Sequence, residues 1–234
     1  MPSLNTIVLF ALAAAFAAPA AGQSTSGAGK TTRYWDCCKP SCGWPGKAAV
    51  NQPVGICGKS DQRLSDQNTR SGCDSGGSAF MCSSQTPWAV SNSLAYGFAA
   101  AHIPGGTEAD TCCSCYELTF TSTAIAGKKM IVQATNIGGD LSQGQFDLAI
   151  PGGGVGLFNG CDDQWGAPAD GWGARYGGVS SASDCNKLPQ QLQAGCNFRF
   201  GSFFQGADNP NVNWRKVACP SQLTQKSGCT RTNG

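Results

Sequence analysis

The sequence predicts a small, mainly β domain with long loops held together by disulfide bonds. The chain has 234 residues, and its 32 glycines and 12 prolines indicate many turns rather than long helices. All 14 cysteines lie between Cys37 and Cys229. An even number of cysteines behind a secretion signal is typical of a disulfide framework, which stabilises a loop-rich domain.

An apolar segment opens the chain. Residues 4–18 are rich in Ala, Leu, Val and Phe, and small residues suited to signal-peptidase cleavage follow at 18–22. Nothing else in the chain is apolar for long enough to span a bilayer. We therefore expect a secretory signal peptide at residues 1–22, a flexible Ser/Gly-rich tail at residues 23–30 and one folded domain at residues 31–234.

Composition excludes several classes of protein. Charged residues make up 13% of the chain and the net charge is +2, so there is no basic stripe for nucleic acid and no polybasic patch for a membrane. Zinc is the other common use of cysteine. The cysteine clusters at 37–38 and 112–115 are too tight for repeated ligand pairs, and His102 is the only histidine. We expect no structural metal.

The stretch from Thr31 to Cys42 carries the first candidate for chemistry. Asp36 follows Tyr34 and Trp35 directly and precedes Cys37. An acid held beside aromatic rings suits sugar chemistry, because rings bind the apolar faces of a pyranose and a carboxylate handles protons. The alternative is that Asp36 caps a turn and the two aromatic residues fill a core.

Residues 34–82 show little periodicity and contain several turn sequences. Trp44 lies in one of them, where a large ring is hard to bury, so it is either a ligand platform or a partial core plug. Residues 91–101 read as a helix with a buried alanine-rich face. His102, directly after it, is more simply explained by a local hydrogen bond than by catalysis.

Three strands follow. Residues 115–121 and 129–135 alternate as strands do and predict a hairpin, and residues 145–151 form a short strand stopped by a proline. Asp147 lies between two apolar residues of the third strand. If it faces a cleft, apolar surroundings raise its pKa toward that of a general acid; otherwise it is an edge-strand residue facing water.

The last third is less informative. Residues 151–156 fit no phosphate-loop pattern and predict a turn with close backbone packing. No GxSxG motif is present, so a serine nucleophile is not expected. We expect residues 162–178 to form part of a groove. A helix is expected at residues 183–192 with Ser183 as its cap, and strands at residues 196–204 and 212–217.

Together these stretches resemble the fungal family 45 glycoside hydrolases, which are small endo-β-1,4-glucanases. The family signature is a small residue, then Thr-Arg-Tyr-aromatic-Asp, five residues, and Cys or Ala; residues 31–36 with Cys42 match it fully. The resemblance covers essentially residues 31–229. It implies a six-stranded double-psi β-barrel with an open groove, disulfide-linked loops and a few short helices. It also implies endo-acting cleavage of cellulose or a related β-1,4-glucan with inversion, and no cofactor.

The resemblance also assigns roles to residues. Asp36 corresponds to the general base, Asp147 to the general acid, and Asp140 to an accessory carboxylate on a loop over the cleft. The expected substrate-binding residues are three aromatic and three polar side chains: Tyr34, Trp44, Tyr176, Thr32, Lys39 and Gln145. Members of the family often carry a histidine shortly before the acid, where this chain has Gln145, and a glutamine cannot carry charge.

Seven disulfide pairs are implied by the resemblance as well. They are Cys37–Cys161, Cys38–Cys73, Cys42–Cys112, Cys57–Cys82, Cys113–Cys229, Cys115–Cys219 and Cys185–Cys196. We further expect a secreted monomer without a cellulose-binding module. The alternatives are a non-hydrolytic expansin-like protein, which shares the barrel but generally lacks the base, and a barwin-like wall-binding module. Preference among cellulose, mixed-linkage glucan and glucomannan does not follow from the sequence.

Overall fold

The structure is a computed structural model and describes residues 22–232. The predicted signal peptide lies outside the described residues except for Gly22. The strands are β1 Ser26–Tyr34, β2 Ile56–Cys57, β3 Phe80–Met81, β4 Trp88–Ala89, β5 Leu94–His102, β6 Cys115–Phe120, β7 Lys129–Asn136, β8 Gln145–Ala149 and β9 Asn211–Val217. The helices are α1 Glu108–Thr111, α2 Cys161–Trp165, α3 Gln190–Phe200 and α4 Ser221–Ser227, with short 3₁₀ turns at Ser41–Gly43, Ser83–Gln85 and Ala182–Lys187.

Six strands close into a barrel in the order β5, β7, β6, β9, β1, β8, and β8 pairs back onto β5. The pairs β1–β8 and β5–β7 are parallel, and the other four are antiparallel. This is the six-stranded double-psi β-barrel that the resemblance implied. β4 extends the sheet beside β5, and β2 pairs with β3 separately. Within residues 22–232, no helix combines the length and hydropathy needed to cross a membrane.

The barrel interior is filled by aromatic rings. Tyr116, Phe146 and Trp214 pack with ring centroids 5.4–5.9 Å apart, in tilted and edge-to-face arrangements. A second buried cluster, which includes Trp35 and Val155, lies between the barrel and the loops. The groove described below borders this second cluster, so its floor rests on packed side chains.

The expectation of a flexible tail at residues 23–30 is wrong for most of that segment. β1 begins at Ser26, and residues 26–30 pair antiparallel with β9. The glycines, which suggested flexibility, permit close packing instead. A Cβ on Gly29 would lie 1.9 Å from the carbonyl oxygen of Gly144, so only glycine fits there.

The helix expected at residues 91–101 is also wrong, because residues 94–102 form β5. The alanines that suggested a helix lie in a strand paired with both β7 and β8. Ala99, Ala100 and Ala101 are almost fully buried. Strand pairing and burial here outweigh the intrinsic helix preference of alanine, which amounts to only a few tenths of a kcal/mol per residue (about 0.5).

The segment after Ser180 was misassigned as well. The expected helix at residues 183–192 is a 3₁₀ turn followed by the start of α3, and the expected strand at residues 196–204 is mostly the rest of α3. The capping serine is Ser181, whose side chain and backbone both bond to Asp184. A disulfide between Cys185 and Cys196 joins the turn to α3. It stabilises the helix here, although the sequence alternates as a strand does.

The other strand predictions are confirmed. β6 and β7 form the expected antiparallel hairpin, β8 runs from Gln145, and β9 covers the strand expected at residues 212–217. All 14 cysteines are in disulfides, and the seven pairs are those that the resemblance implied.

Candidate active site

The site is an open groove made of two adjoining pockets, of about 340 Å³ and about 470 Å³. The first contains Asp36 and extends to Trp44, and the second extends to Tyr176. Six residues line both pockets: Tyr34, Asp140, Leu141, Asp147, Gly156 and Leu157. Asp147 therefore lies at the junction of the two halves, and a ligand that spans them passes directly over it.

Asp36 is held in place by the residues that precede and follow it in the chain. It comes shortly after β1, and the two residues before it, Tyr34 and Trp35, pack into the second cluster. The next residue, Cys37, adopts a left-handed backbone with φ of 61°. Cys37 and Cys38 are both in disulfides, with Cys161 and Cys73. The backbone N–H of Cys38 donates to Asp36 Oδ1 at 3.0 Å. The carboxylate is thus fixed by covalent links and a hydrogen bond.

The surroundings of Asp36 disfavour its ionised form. Burial raises the pKa of this carboxyl to about 7, the hydrogen bond from Cys38 opposes the rise, and the nearby charge of Asp147 adds to it. Even so, the side chain opens on the first pocket. A carboxyl group with a pKa near neutrality that faces a groove is suited to proton transfer.

Asp147 stands on β8, with barrel strands on both sides. Its register partners are Thr32 on β1 and Ala100 on β5. Thr32 Oγ1 donates to Asp147 Oδ1 at 2.6 Å, and Gln145 Nε2 donates to Thr32 Oγ1 at 3.0 Å. Thr32 and Gln145, both expected to bind substrate, therefore form a chain of hydrogen bonds that ends on the carboxylate of Asp147.

The pKa of Asp147 is raised to about 6, chiefly by burial. The hydrogen bond from Thr32 and the charge of Arg33 lower it, while the charge of Asp140 raises it. Asp140 itself is exposed, on the loop that joins β7 to β8. The structure therefore brings together all three carboxylates singled out in the sequence.

Tyr34 lies close to both acids. It is buried, lines both pockets, and accepts a hydrogen bond from Asn136 Nδ2 at 3.4 Å. Burial raises the pKa of its phenol well above the usual value, and the charge of Asp36 adds to the rise. Tyr34 therefore stays neutral, and a neutral phenol can contact a sugar without adding charge to the site.

Trp44 is half-buried and lines the first pocket, with the ammonium of Lys39 3.1 Å from its ring centroid. Lys39 Nζ also donates to the backbone oxygens of Gln67 and Thr69, and the residue is only 5% exposed. Lys39 lines the groove, but its charge is engaged beneath the indole. Its visible role is to support Trp44.

Tyr176 is 69% exposed and borders the second pocket. Two arginines fix its loop: Arg33 Nε donates to Gly177 O at 3.0 Å, and Arg175 Nη1 donates to Gly156 O at 3.0 Å. Gly178 has φ of 74°, and a Cβ there would lie 1.7 Å from the oxygen of Gly152. The ring is thus presented to solvent by a rigid turn.

Two exposed apolar residues of the groove were not predicted from the sequence. Leu157 and Phe158 are 64% and 58% exposed and line the first pocket. They directly follow the glycine-rich turn at residues 151–156, which does pack closely as expected; an exposed apolar pair behind such a turn was the available signal. Conversely, Trp165 and Trp172 pack partly buried against the second cluster and do not line either pocket.

The chemistry available in the groove is that of two carboxyl groups. Every cysteine is in a disulfide, and residues 22–232 contain no cluster of three or more potential metal ligands. Two partly buried carboxyls with raised pKa values, on one groove with aromatic residues toward both ends, are the arrangement found in glycoside hydrolases.

Comparison with known proteins agrees with this class. The sequence profile described as glycosyl hydrolase family 45 matches residues 28–230. An endoglucanase of Cryptopygus antarcticus is 59% identical over 226 residues, which cover 97% of this chain and 99% of the relative. A putative endoglucanase type K of Fusarium oxysporum is 54% identical over 217 residues, 93% of this chain and 57% of the relative.

A solved structure supports the same class of protein. The crystal structure of a cellulase from the Antarctic springtail Cryptopygus antarcticus superposes with a TM-score of 0.86 at 60% identity, and covers 90% of this chain and 100% of that chain. The protein is thus a glycoside hydrolase. The chain belongs to glycosyl hydrolase family 45. The description "fungal" was too narrow, since these relatives come from an animal as well as a fungus.

Proposed function

We propose that the chain is an endo-β-1,4-glucanase that cleaves internal bonds of cellulose or a related glucan with inversion, with Asp36 as general base and Asp147 as general acid. The observation that carries the proposal is the placement of these two acids on one groove: Asp36 in the first pocket and Asp147 at the junction. Inversion uses two carboxyl groups about 6.5–9.5 Å apart, which leaves room for a water molecule between the base and the sugar.

In the proposed reaction, Asp147 donates its proton to the glycosidic oxygen as the bond from that oxygen to the anomeric carbon breaks. Asp36 removes a proton from a water molecule, whose oxygen attacks the anomeric carbon from the opposite face. The products are two shorter chains, and the new reducing end has the α-configuration. Asp147 ends ionised and Asp36 protonated, and exchange of both with solvent restores the site.

The two pKa values bear on how this cycle starts. Burial raises both pKa values toward neutrality, to about 7 for Asp36 and about 6 for Asp147, so the two carboxyls share a single proton in this range. The productive form carries that proton on Asp147. A glycosidic oxygen beside Asp147 favours this form, because it accepts a hydrogen bond only from the protonated acid.

The shape of the groove supports internal cleavage. Trp44 and Tyr176 lie toward opposite ends, with Asp147 between them. A polymer binds across such an open groove without needing a free chain end, and rings of this kind bind the apolar faces of glucose units. We propose Asp140 as an accessory carboxylate whose charge raises the pKa of Asp147 and so favours the protonated acid.

We also propose that the protein is secreted. The apolar segment at residues 4–18 supports this, and so do the seven disulfides, which form and persist in oxidising compartments. The presence of Asp36 in the groove argues against the expansin-like alternative, which needs no base.

Substitution of the two acids tests the assignment. Asp147→Asn should abolish measurable release of reducing sugar from a soluble β-1,4-glucan, because departure of an alkoxide needs protonation. An aryl cello-oligosaccharide with an activated phenolate leaving group should lose much less rate. Asp36→Asn should depress hydrolysis of both substrates to a similar degree, because each needs an activated water. Asp163→Asn, on the exposed face of α2, is the matched control and should leave both rates unchanged.

Stereochemistry provides an independent check. Proton NMR of the first product should show the α-anomer before mutarotation. A β-anomer would exclude the inverting mechanism, and full activity of Asp36→Asn would exclude its role as base. Wild-type protein that binds glucan but releases no reducing sugar would restore the non-hydrolytic alternative.

A further inference from the structure

The loop at residues 137–144, here the Asp140 loop, joins β7 to β8 at the groove. Asp140 and Leu141 line both pockets. The tip, Gly139 and Asp140, is exposed, whereas Leu141 is only 8% exposed and packs into the second cluster. The position of Asp140 therefore depends on how the flanks of this loop are held.

One flank is held by two side chains on the neighbouring strands β5 and β8. His102 on β5 and Gln145 on β8 are register partners in an antiparallel pair, so their side chains project from the same face. His102 Nδ1 lies 2.7 Å from the carbonyl oxygen of Leu141. A carbonyl oxygen only accepts, so Nδ1 carries the proton and donates it.

Gln145 binds the next residue of the loop. The backbone N–H of Ser142 donates to Gln145 Oε1 at 3.1 Å. The other end of the same amide donates to Thr32 Oγ1 at 3.0 Å, and Thr32 donates to Asp147 at 2.6 Å. One glutamine thus connects the Asp140 loop to the carboxylate at the groove junction, with its oxygen and its nitrogen both engaged.

The pair is backed by backbone contacts. The N–H of Gly144 donates to the oxygen of His102 at 2.8 Å, which completes the turn into β8. Leu141 packs directly on Gly138, where an added Cβ would lie 2.4 Å from Leu141 Cγ. The buried leucine and the two polar side chains therefore fix residues 141–144, and in this way they set the position of the exposed tip.

We propose that His102 and Gln145 form a latch that holds the Asp140 loop against the groove and thereby positions Asp140 beside Asp147. His102 is a positioning residue: it bonds to the loop and has no part in the proton transfers. The proposal rests on the roles proposed above for Asp140 and Asp147. It gives a function to the single histidine of the chain, which catalysis leaves unused.

The latch predicts an electrostatic consequence. With the loop in place, the charge of Asp140 raises the pKa of Asp147; with the latch removed, Asp140 moves away and that contribution falls. The titratable and charged groups around Asp147 are Asp140 on the loop, Arg33, Tyr34 and Asp36 on or after β1, His102 on β5, Lys39 and Asp74 in the first pocket, and Arg175, Tyr176 and Asp208 in the second pocket. Among these, only Asp140 is carried by the latched loop.

Hydrogen exchange on the intact protein tests the latch without reference to activity. His102→Leu removes the donor, and amides of residues 139–144 should exchange about fivefold faster, the equivalent of one net hydrogen bond of about 1 kcal/mol. His102→Asn places an amide donor near the position of Nδ1 and should restore slow exchange. Ser91→Ala is the matched control, because it removes a side-chain acceptor that lies 3.1 Å from the backbone N of Leu94, at the opposite end of β5 from His102.

The pH dependence of kcat/KM provides the second readout. In His102→Leu the acidic limb should move to lower pH, and His102→Asn should return it to the wild-type position; a merely structural defect would lower the rate without moving the limb. If the amides of residues 139–144 exchange at the wild-type rate in His102→Leu, the latch is overturned. If they exchange faster but the acidic limb of kcat/KM does not move, the link between the latch and Asp147 is overturned. If wild-type protein proves inactive on glucan, the proposed function fails, while the exchange experiment still decides the latch.

Discussion

Thr32 and Asp147 are register partners across the parallel pair β1–β8, and Thr32 Oγ1 donates to Asp147 Oδ1 at 2.6 Å. A hydrogen bond of this kind stabilises the ionised carboxylate and opposes the effect of burial. It partly offsets the rise in the pKa of Asp147, which burial brings to about 6. One hydroxyl group therefore helps to set the pKa of the proposed general acid.

Replacing Thr32 tests this relationship. Thr32→Val keeps the shape of the side chain but removes the donor, so the pKa of Asp147 should rise and the acidic limb of kcat/KM should move to higher pH. The pH profile on a soluble glucan measures the shift. Thr119→Val, on the half-buried outer face of β6, removes a strand hydroxyl away from the groove and should leave the limb in place.

The wild-type pH profile should be bell-shaped. In the proposed mechanism activity requires one proton on the pair, so kcat/KM should fall below pH about 6 and above pH about 7, the values to which burial raises the pKa values of Asp147 and Asp36. Rates measured from pH 4 to pH 9 on a soluble substrate check this. A kcat/KM that still rises at pH 9 would be incompatible with these pKa values for the pair.

Asp36 should reduce stability at alkaline pH. Its folded-state pKa of about 7 exceeds the ordinary value of about 3.9, so its contribution to stability is present below pH 3.9 and is lost as pH rises through 7. Asp36→Asn removes the buried charge and keeps an acceptor for the N–H of Cys38. After allowance for its exposure, the variant should be about 2 kcal/mol more stable than wild type at pH 8.

Urea unfolding at pH 8 and pH 4 measures this effect. The gain should disappear at pH 4, where the folded wild type is already protonated. An equal gain at both pH values would point to packing rather than charge, and a loss at pH 8 would contradict the raised pKa.

Lys39 should affect substrate binding only through Trp44. Trp44→Ala should raise KM for a soluble glucan roughly tenfold, since a stacked ring buries apolar area worth about 1.5 kcal/mol. Lys39→Met removes the ammonium beneath the ring and should produce a smaller increase. In the double variant the two effects should not add, because both act on the same platform. Additive effects would instead mean that Lys39 contacts the substrate itself.

The denatured, unreduced protein should contain no free thiol. Every cysteine is paired, and the pairs join residues as far apart as Cys37 and Cys161. Thiol titration in guanidinium should therefore detect almost none. Two or more thiols per chain would contradict the framework.

The sequence pointed to the two proposed catalytic stretches because each carries a local signal. Asp36 stands in a full signature, and Asp147 lies in a short strand with clear apolar alternation. Both β6 and β7 were also predictable from alternation, since each strand of this hairpin pairs with a neighbour in sequence. Local pattern and final structure agree in these places.

Elsewhere the structure depends on partners distant in sequence. The Ala-rich segment of β5 is a strand because β7 and β8 bond to it on both sides, and β1 begins early because β9 lies beside its glycines. Neither partner is visible in the local sequence. The bond from His102 to Leu141 was equally hidden, because it joins residues 39 positions apart. The exposed pair Leu157 and Phe158 differs from buried residues only in its three-dimensional setting.

Closure of the barrel has a consequence for the working lifetime of the enzyme. Asp147 lies on β8, which is bonded to β1 on one side and to β5 on the other, and Asp36 is covalently tied through its neighbours. Neither acid is on an element that can open by itself while the barrel persists. Heat should therefore not produce a folded but inactive population: loss of catalytic capacity and loss of the barrel become one event, and the inactivation rate is the unfolding rate.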